Sequence, residues 1–200
     1  MRDLRERKNN SNDNDADDAA VAAAAAGLNP YFHFDSQSKQ IKDAVFNCRG
    51  IIINERFWNR IRDELMDLTK EAGPVILYQL GLSYGLEVGI QGKEAVKDSV
   101  AAINFLEYYG LLAGWGRFET SKLRLTQGQL SGPAVVKVFD NFFAYSPQNN
   151  SGNPGCFFVS GLLAGISDGL FGGHHNCLEE QCISAGSKCC QFVVARTSLY

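Results

Sequence analysis

Cys156, Glu179, Cys182 and Cys190, all in the last quarter of the chain, are the residues whose types and spacing could hold a metal ion. Zinc takes four ligands in a tetrahedron, drawn from thiolate, imidazole and carboxylate. Glu179 and Cys182 are three apart, so both side chains can turn toward one point at a strand end. Cys190 follows eight residues later, and Gly186 in the intervening loop supplies the reversal that brings the chain back. Cys189 is its neighbour on the same strand. The two must point to opposite faces, so only one of them can ligate, and spacing favours Cys190 only slightly. Cys156 comes from far upstream, in the first turn of a helix expected to begin at Pro154 behind the cap residue Asn153. Free N–H groups and the helix dipole at that end favour the thiolate.

The remaining cysteines and histidines compete with this set and are expected to lose. Cys48 and Cys177 read as small core hydrophobes, as free cysteine often is. His174 and His175 lie too far from Glu179 along an extended strand to share its ion, and read as surface or pocket-lining residues. His33, between Phe32 and Phe34, reads as a packed histidine.

The elements that must position these residues follow from hydrophobic period and punctuation. Residues 44–46 and 51–53 read as strands about a turn at 47–50. Asn54 then reads as the N-cap of a helix with Phe57, Ile61, Leu65 and Leu68 on one face. After Gly73-Pro74 comes a second helix whose glycines, Gly81, Gly85 and Gly89, suggest close helix packing or breaks. A third spans 93–109 and closes at Gly110. The period then drops to two over 115–119 and 122–126, joined by a turn at Thr120-Ser121, and over 134–139. A fourth helix runs from 154 to about 170 and stops at Gly172-Gly173. Strands near 174–179 and 190–195 end the chain. The expected class is α+β, an antiparallel sheet with clustered helices.

A chain of 200 residues with 45% hydrophobic and 20% charged residues suits one globular domain. A net charge of −3 gives no case for nucleic acid or an anionic membrane as partner. No stretch approaches the ~20 apolar residues of a membrane span. Residues 1–28 read as a disordered leader ahead of a folded domain at 29–200. In that leader a polar segment with four Asp separates the basic start from the run Ala19–Ala26, unlike a secretory signal. A cytoplasmic chain is therefore expected, with cysteines serving as thiols or metal ligands rather than disulfides.

The C-terminal residues carry a resemblance. Pro154-Gly155-Cys156-Phe157, Gly161-Leu162-Leu163-Ala164-Gly165, Glu179-Glu180-Gln181-Cys182, Gly186 and Cys190-Gln191-Phe192 together resemble the signature of the 4-vinyl reductase domain family. The likeness is specific over about 133–197 and looser back to about 40. It implies a fold shared with TRAPP-type tethering subunits and with the sensor domains of phenol-responsive activators. It further implies zinc on Cys156, Glu179, Cys182 and Cys190, a mostly apolar pocket beside it for a small hydrocarbon or aromatic ligand, and a homodimer. Phe105, Tyr108, Tyr109, Trp115, Phe118, Phe139 and Phe158 are the candidates to line that pocket. Two phenol contacts of those sensors have no counterpart, since Val138-Phe139-Asp140 replaces a tryptophan strand and the third helix has no histidine.

The expectation is a non-catalytic, zinc-containing binding or sensory domain that signals to a separate partner, because four protein ligands leave zinc no open position. Two other classes compete with it. One is an accessory or catalytic component of a tetrapyrrole or hydrocarbon reductase pathway, although no nucleotide or flavin motif is present. The other is a dimeric scaffold.

Overall fold

A computed structural model describes residues 31–144 and 155–197 of the chain. They fall into two compact units that part between Ile52 and Ile53. The first unit is a three-stranded antiparallel sheet, β1 (Phe32–Asp35), β2 (Gln40–Asp43) and β3 (Cys48–Gly50). Residues 44–46 and 51–53, expected as strands, lie outside it. The Asp43 carboxylate accepts the N–H groups of Val45 and Phe46 at 2.9 and 3.1 Å, which folds 44–46 into a turn. Alternation along β1 turns His33 outward, so the packed histidine is corrected to an exposed one. Cys48 on β3 is likewise exposed rather than core.

The second unit contains α1 (Glu55–Thr69), α2 (Gly73–Val96), α3 (Ser99–Leu112), β4 (Arg117–Ser121), the short pair β5 (Leu125–Thr126) and β6 (Gln129–Leu130), β7 (Ala134–Phe139), α4 (Phe157–Phe171), β8 (His175–Gln181) and β9 (Cys190–Arg196). The main sheet is antiparallel throughout, in the order β4-β7-β9-β8. The α+β architecture with an antiparallel sheet is as expected. Thr120 and Ser121 belong to β4, which pairs with β7, while β5 pairs with β6. The expected hairpin turn at those residues is therefore a strand.

Asn54 caps α1 by accepting the N–H of Phe57 at 2.9 Å. The buried side of α1 differs from the expected face. Trp58 stands edge-on to Phe143 and Phe158, with ring centroids 5.1 and 5.2 Å away, and Arg62 is buried on the same side. Phe57, Ile61 and Leu68 are left exposed. The larger Trp58 ring takes the core position, and the apolar row one residue earlier turns outward. The helix expected at 93–109 is divided. Residues 93–96 finish α2, Lys97 takes a left-handed C-cap, and Asp98 caps α3 by accepting the N–H of Ala101 at 2.8 Å. Gly110 lies within α3 rather than ending it.

The α2 glycines confirm close packing, and the partner is α4. A Cβ at Gly81, Gly85 or Gly89 would fall 2.1, 2.2 or 2.4 Å from the carbonyl oxygens of Phe158, Leu162 and Ile166. From the other side, a Cβ at Gly161 or Gly165 would fall 2.0 or 2.1 Å from the carbonyls of Tyr78 and Leu82. The two helices run parallel with backbones in contact, at a distance only glycine allows. Beyond its glycines α4 is almost wholly apolar, which suits a helix covered on several sides. Val159, Leu162, Leu163 and Leu170 are buried. Val159, Leu163 and Leu170 share one core with Val136 and Val138 of β7 and Phe192 and Val194 of β9. Lys93 Nζ of α2 donates to the terminal Leu170 carbonyl of α4 at 2.8 Å, where a cation also suits the helix dipole.

Gly85→Ala should therefore cost about 3 kcal/mol or more, since backbone cannot yield as a side chain does. Gly114→Ala, where a Cβ meets nothing but φ is +75°, should cost only ~1 kcal/mol. Urea denaturation of both variants checks this, and equal losses would refute the helix contact.

Candidate metal centre and adjoining cavity

Four side chains from three elements converge at one end of the main sheet. Cys156 is the N-cap of α4, Glu179 sits on β8, Cys182 directly follows β8, and Cys190 opens β9. The helix starts at Phe157, later than expected, and the expected cap at Asn153-Pro154 lies outside the described residues. In a regular strand, residues three apart face opposite sides. Here the ladder slips between Glu179 and Gln181, so that Glu180 is an extra residue against β9. Such a bulge re-aims side chains, and with it Glu179 and Cys182 both turn inward. Gly186, at φ +90°, makes the return toward Cys190. Cys189 is buried but is not one of the clustered residues.

One ligand atom from each of the four residues lies within 4.8 Å of the others. The Cys156 Sγ is 3.6 Å from that of Cys182 and 3.7 Å from that of Cys190, and the last two are 3.9 Å apart. A tetrahedron with zinc–sulfur bonds of ~2.3 Å has sulfur–sulfur edges of ~3.8 Å. Hydrogen-bond donors surround the sulfurs. Asn141 Nδ2 reaches Cys156 Sγ at 3.5 Å, the Ile183 N–H reaches Cys190 Sγ at 3.5 Å, and Ser184 Oγ is 2.8 Å from Cys182 Sγ. Partners of this kind orient metal-bound groups.

The electrostatics suit a cation. Cys182 is held well below the ordinary thiol range because it accepts from Cys156 and Cys190. Cys156 is held well above it by its bonds to those two thiols and by burial. The Cys156 bond pulls Cys190 down, but the Cys182 bond and burial outweigh it and leave Cys190 at about 12. Burial pushes Glu179 up to about 7, against the bonds from Cys156 that lower it. Glu179 Oε2 accepts the Cys156 N–H at 2.9 Å, while its buried Oε1 has no hydrogen-bond partner. Three thiols, a carboxylate and an orphaned carboxylate oxygen, all turned on one point, fit a tetrahedral thiophilic dication.

Further along the inward face of the sheet lies an apolar cavity of about 70 Å³. The space exceeds the ~10–15 Å³ that one water needs. Its walls come from α3, α4 and the sheet, among them Leu106, Leu163, Val136 and Val194. Of the aromatic residues singled out in the sequence, Tyr109, Trp115 and Phe118 line it. The other four lie elsewhere. Tyr108 is half-exposed, Phe139 lies under the Arg117 guanidinium at 4.1 Å, Phe158 packs on Trp58, and Phe105 is half-buried on α3. Sequence reasoning passes over Glu107 and Thr120 on this wall. Glu107 had a legible signal, as the only charged residue in α3.

His174 is exposed, whereas His175 is buried, with Nδ1 2.9 Å from Asp168 Oδ1 and its backbone N–H donating to the same oxygen at 2.7 Å. Neither belongs to the cluster. Cys177 is buried as expected, and burial raises its thiol above the ordinary range.

Thiol reactivity should follow this placement. Of six cysteines only Cys48 is exposed. Ellman's reagent should titrate one thiol quickly in the native protein and all six after denaturation. Rapid reaction of three or more native thiols would contradict the buried cluster.

Comparison with known proteins places this geometry in context. The vinyl-4-reductase domain model matches residues 134–196. By sequence, the chain matches none of the curated proteins compared with it. In structure it is similar to the phenol-responsive sensory domain of the transcription activator PoxR, determined with phenol, at TM-score 0.69 and 16% identity over 88% of this chain and 90% of that one. A vinyl-4-reductase family protein from Methanocaldococcus jannaschii gives TM-score 0.51 and 18% identity over 74% of this chain and 85% of that one. Subunit 3 of a trafficking protein particle complex from Naegleria fowleri, covalently bound to palmitic acid, gives 0.54 and 9% over 72% and 93%. Identities this low show a common fold. The matched segment runs from β7 through β9 and supplies all four clustered residues, so residues 134–196 are a vinyl-4-reductase domain, within a chain that shares its fold with these proteins.

Proposed function

We propose that the chain is a non-catalytic, small-molecule-binding sensory domain, with its ligand in the apolar cavity and zinc on Cys156, Glu179, Cys182 and Cys190. The cavity carries this reading. It is walled by aromatic and aliphatic side chains with few polar groups, the usual make-up of a small-ligand site. The PoxR domain, of the same fold, was determined with phenol, which supports an aromatic or hydrocarbon ligand here too. When bound, zinc would act as a structural brace, since four protein ligands leave no open coordination position. Cys156 would fix the start of α4, and Glu179, Cys182 and Cys190 the adjoining ends of β8 and β9. One row along the sheet from Cys190 and its partner Val138, Val136 already lines the cavity. The brace would thus hold the cavity wall in shape.

A homodimer is part of the proposal. Phe57, Ile61 and Leu68 of α1 and Val75 and Leu80 of α2 are exposed. That is more apolar side chain than isolated surface residues account for. The six cysteines are all unpaired, which suits a reducing compartment such as the cytoplasm. Among the described residues no helix is long and apolar enough to cross a membrane.

Native mass spectrometry of the purified chain tests the reading. The expected spectrum has twice the 21.9 kDa chain mass and an added small organic molecule that gentle activation releases. A bare chain that also gains no mass on incubation with phenol, toluene or short alkanes would overturn the binding role.

A further inference from the structure

The cavity wall is apolar except at a few points, and those points have a sign. Glu107 is the one charged residue among those lining it. It sits on α3, half-buried, and its Oε1 accepts the backbone N–H of Thr120 on β4 at 2.6 Å. That bond fixes the carboxylate against the cavity wall. A carboxylate offers about four lone-pair sites, so one bond leaves acceptor capacity to spare. Ser167 on the α4 wall spends its hydroxyl hydrogen on the Leu163 carbonyl at 2.8 Å, which leaves it only acceptor lone pairs to offer. Thr120, Tyr109 and Trp115 can each supply a polar hydrogen, but none of them carries a charge. The charged handle is an acceptor, and it is negative.

We propose that this cavity selects an apolar molecule bearing a hydrogen-bond donor, best of all a cationic amine, whose donor meets Glu107, and that it rejects carboxylates. The inference rests on the cavity being the ligand site and names the chemistry of what enters it. Hydrogen bonds to a charged partner are stronger than those between neutral groups. An ammonium loses water on entry, a cost that can exceed the gain for fully buried pairs. Glu107 is only half-buried, so an ammonium beside it stays partly hydrated and the pairing wins. A carboxylate ligand would face the opposite balance, with desolvation and like-charge repulsion both against it.

Toluene, benzylamine and benzoate share one ring and differ in one substituent, so their binding to the full chain by calorimetry separates these effects. The expected order is benzylamine about tenfold tighter than toluene, with benzoate weaker than toluene. In Glu107→Gln, whose amide oxygen can still accept the Thr120 N–H, the advantage of the amine should disappear while toluene affinity stays within about twofold. Toluene binding with no preference for the amine, or an amine preference that survives in E107Q, overturns the selectivity and leaves the ligand site standing. Failure of all three probes to bind overturns both. Should E107Q not fold, the wild-type order decides alone, because a wall without a negative charge gives no reason to rank benzoate last.

Discussion

Helix α4 is gripped along its backbone. Gly81, Gly85 and Gly89 of α2 and Gly161 and Gly165 of α4 bring the two main chains within a distance that admits no Cβ. Everything that does chemistry hangs from that contact. The N-cap of α4 is Cys156, its middle carries Leu162, Leu163 and Ser167 on the cavity wall, and its end is held by Lys93 of α2. Moving α4 by the width of one methyl group would shift the metal cluster and the cavity together. Interiors packed at this density transmit displacement rather than absorb it.

A second clamp acts at the start of the same helix. Three buried sulfurs and a buried carboxylate with an unpartnered oxygen are costly as a metal-free set, since buried polar groups need partners and buried charges need pairing. Proximity already makes Cys182 the acceptor of its neighbours' protons. A dication would remove this cost and convert the cluster from a strained corner into a joint between α4, β8 and β9. Folding and metal binding are then one equilibrium, as in other sites whose ligands must lose protons to bind.

The cluster is legible in the sequence because cysteine and glutamate at these spacings have few other uses. The bulge at Glu180 is not, because nothing in Glu179-Glu180-Gln181 marks a slip of register until β9 is laid beside it. The α2 glycines announce close packing but not their partner, which follows in the chain only after α3 and the sheet strands. Face assignment on α1 fails for a related reason. Phe57, Ile61 and Leu68 have the right period, yet Trp58 finds Phe143 and Phe158, which only the tertiary fold brings near. Residues 44–46 look like a strand by composition and are bent into a turn by the side chain of Asp43. Cavity residues resist reading most of all, since an aromatic on a wall and one in a core have the same neighbours in sequence. Tyr109 and Phe105 share a helix, and only the first reaches the cavity.

Shape and charge in the cavity thus depend on α4 being held at both ends, and the cluster at its N-cap is the joint on which the rest is built. Metal content and thermal midpoint of the wild type and of Cys182→Ser test that joint most directly. The account predicts about one zinc per wild-type chain, loss of that zinc in C182S, and a midpoint lower by roughly 10 °C, as the loss of a few kcal/mol implies for a chain of this size. Wild-type protein without stoichiometric zinc, or a C182S variant that keeps both its zinc and its midpoint, would contradict it.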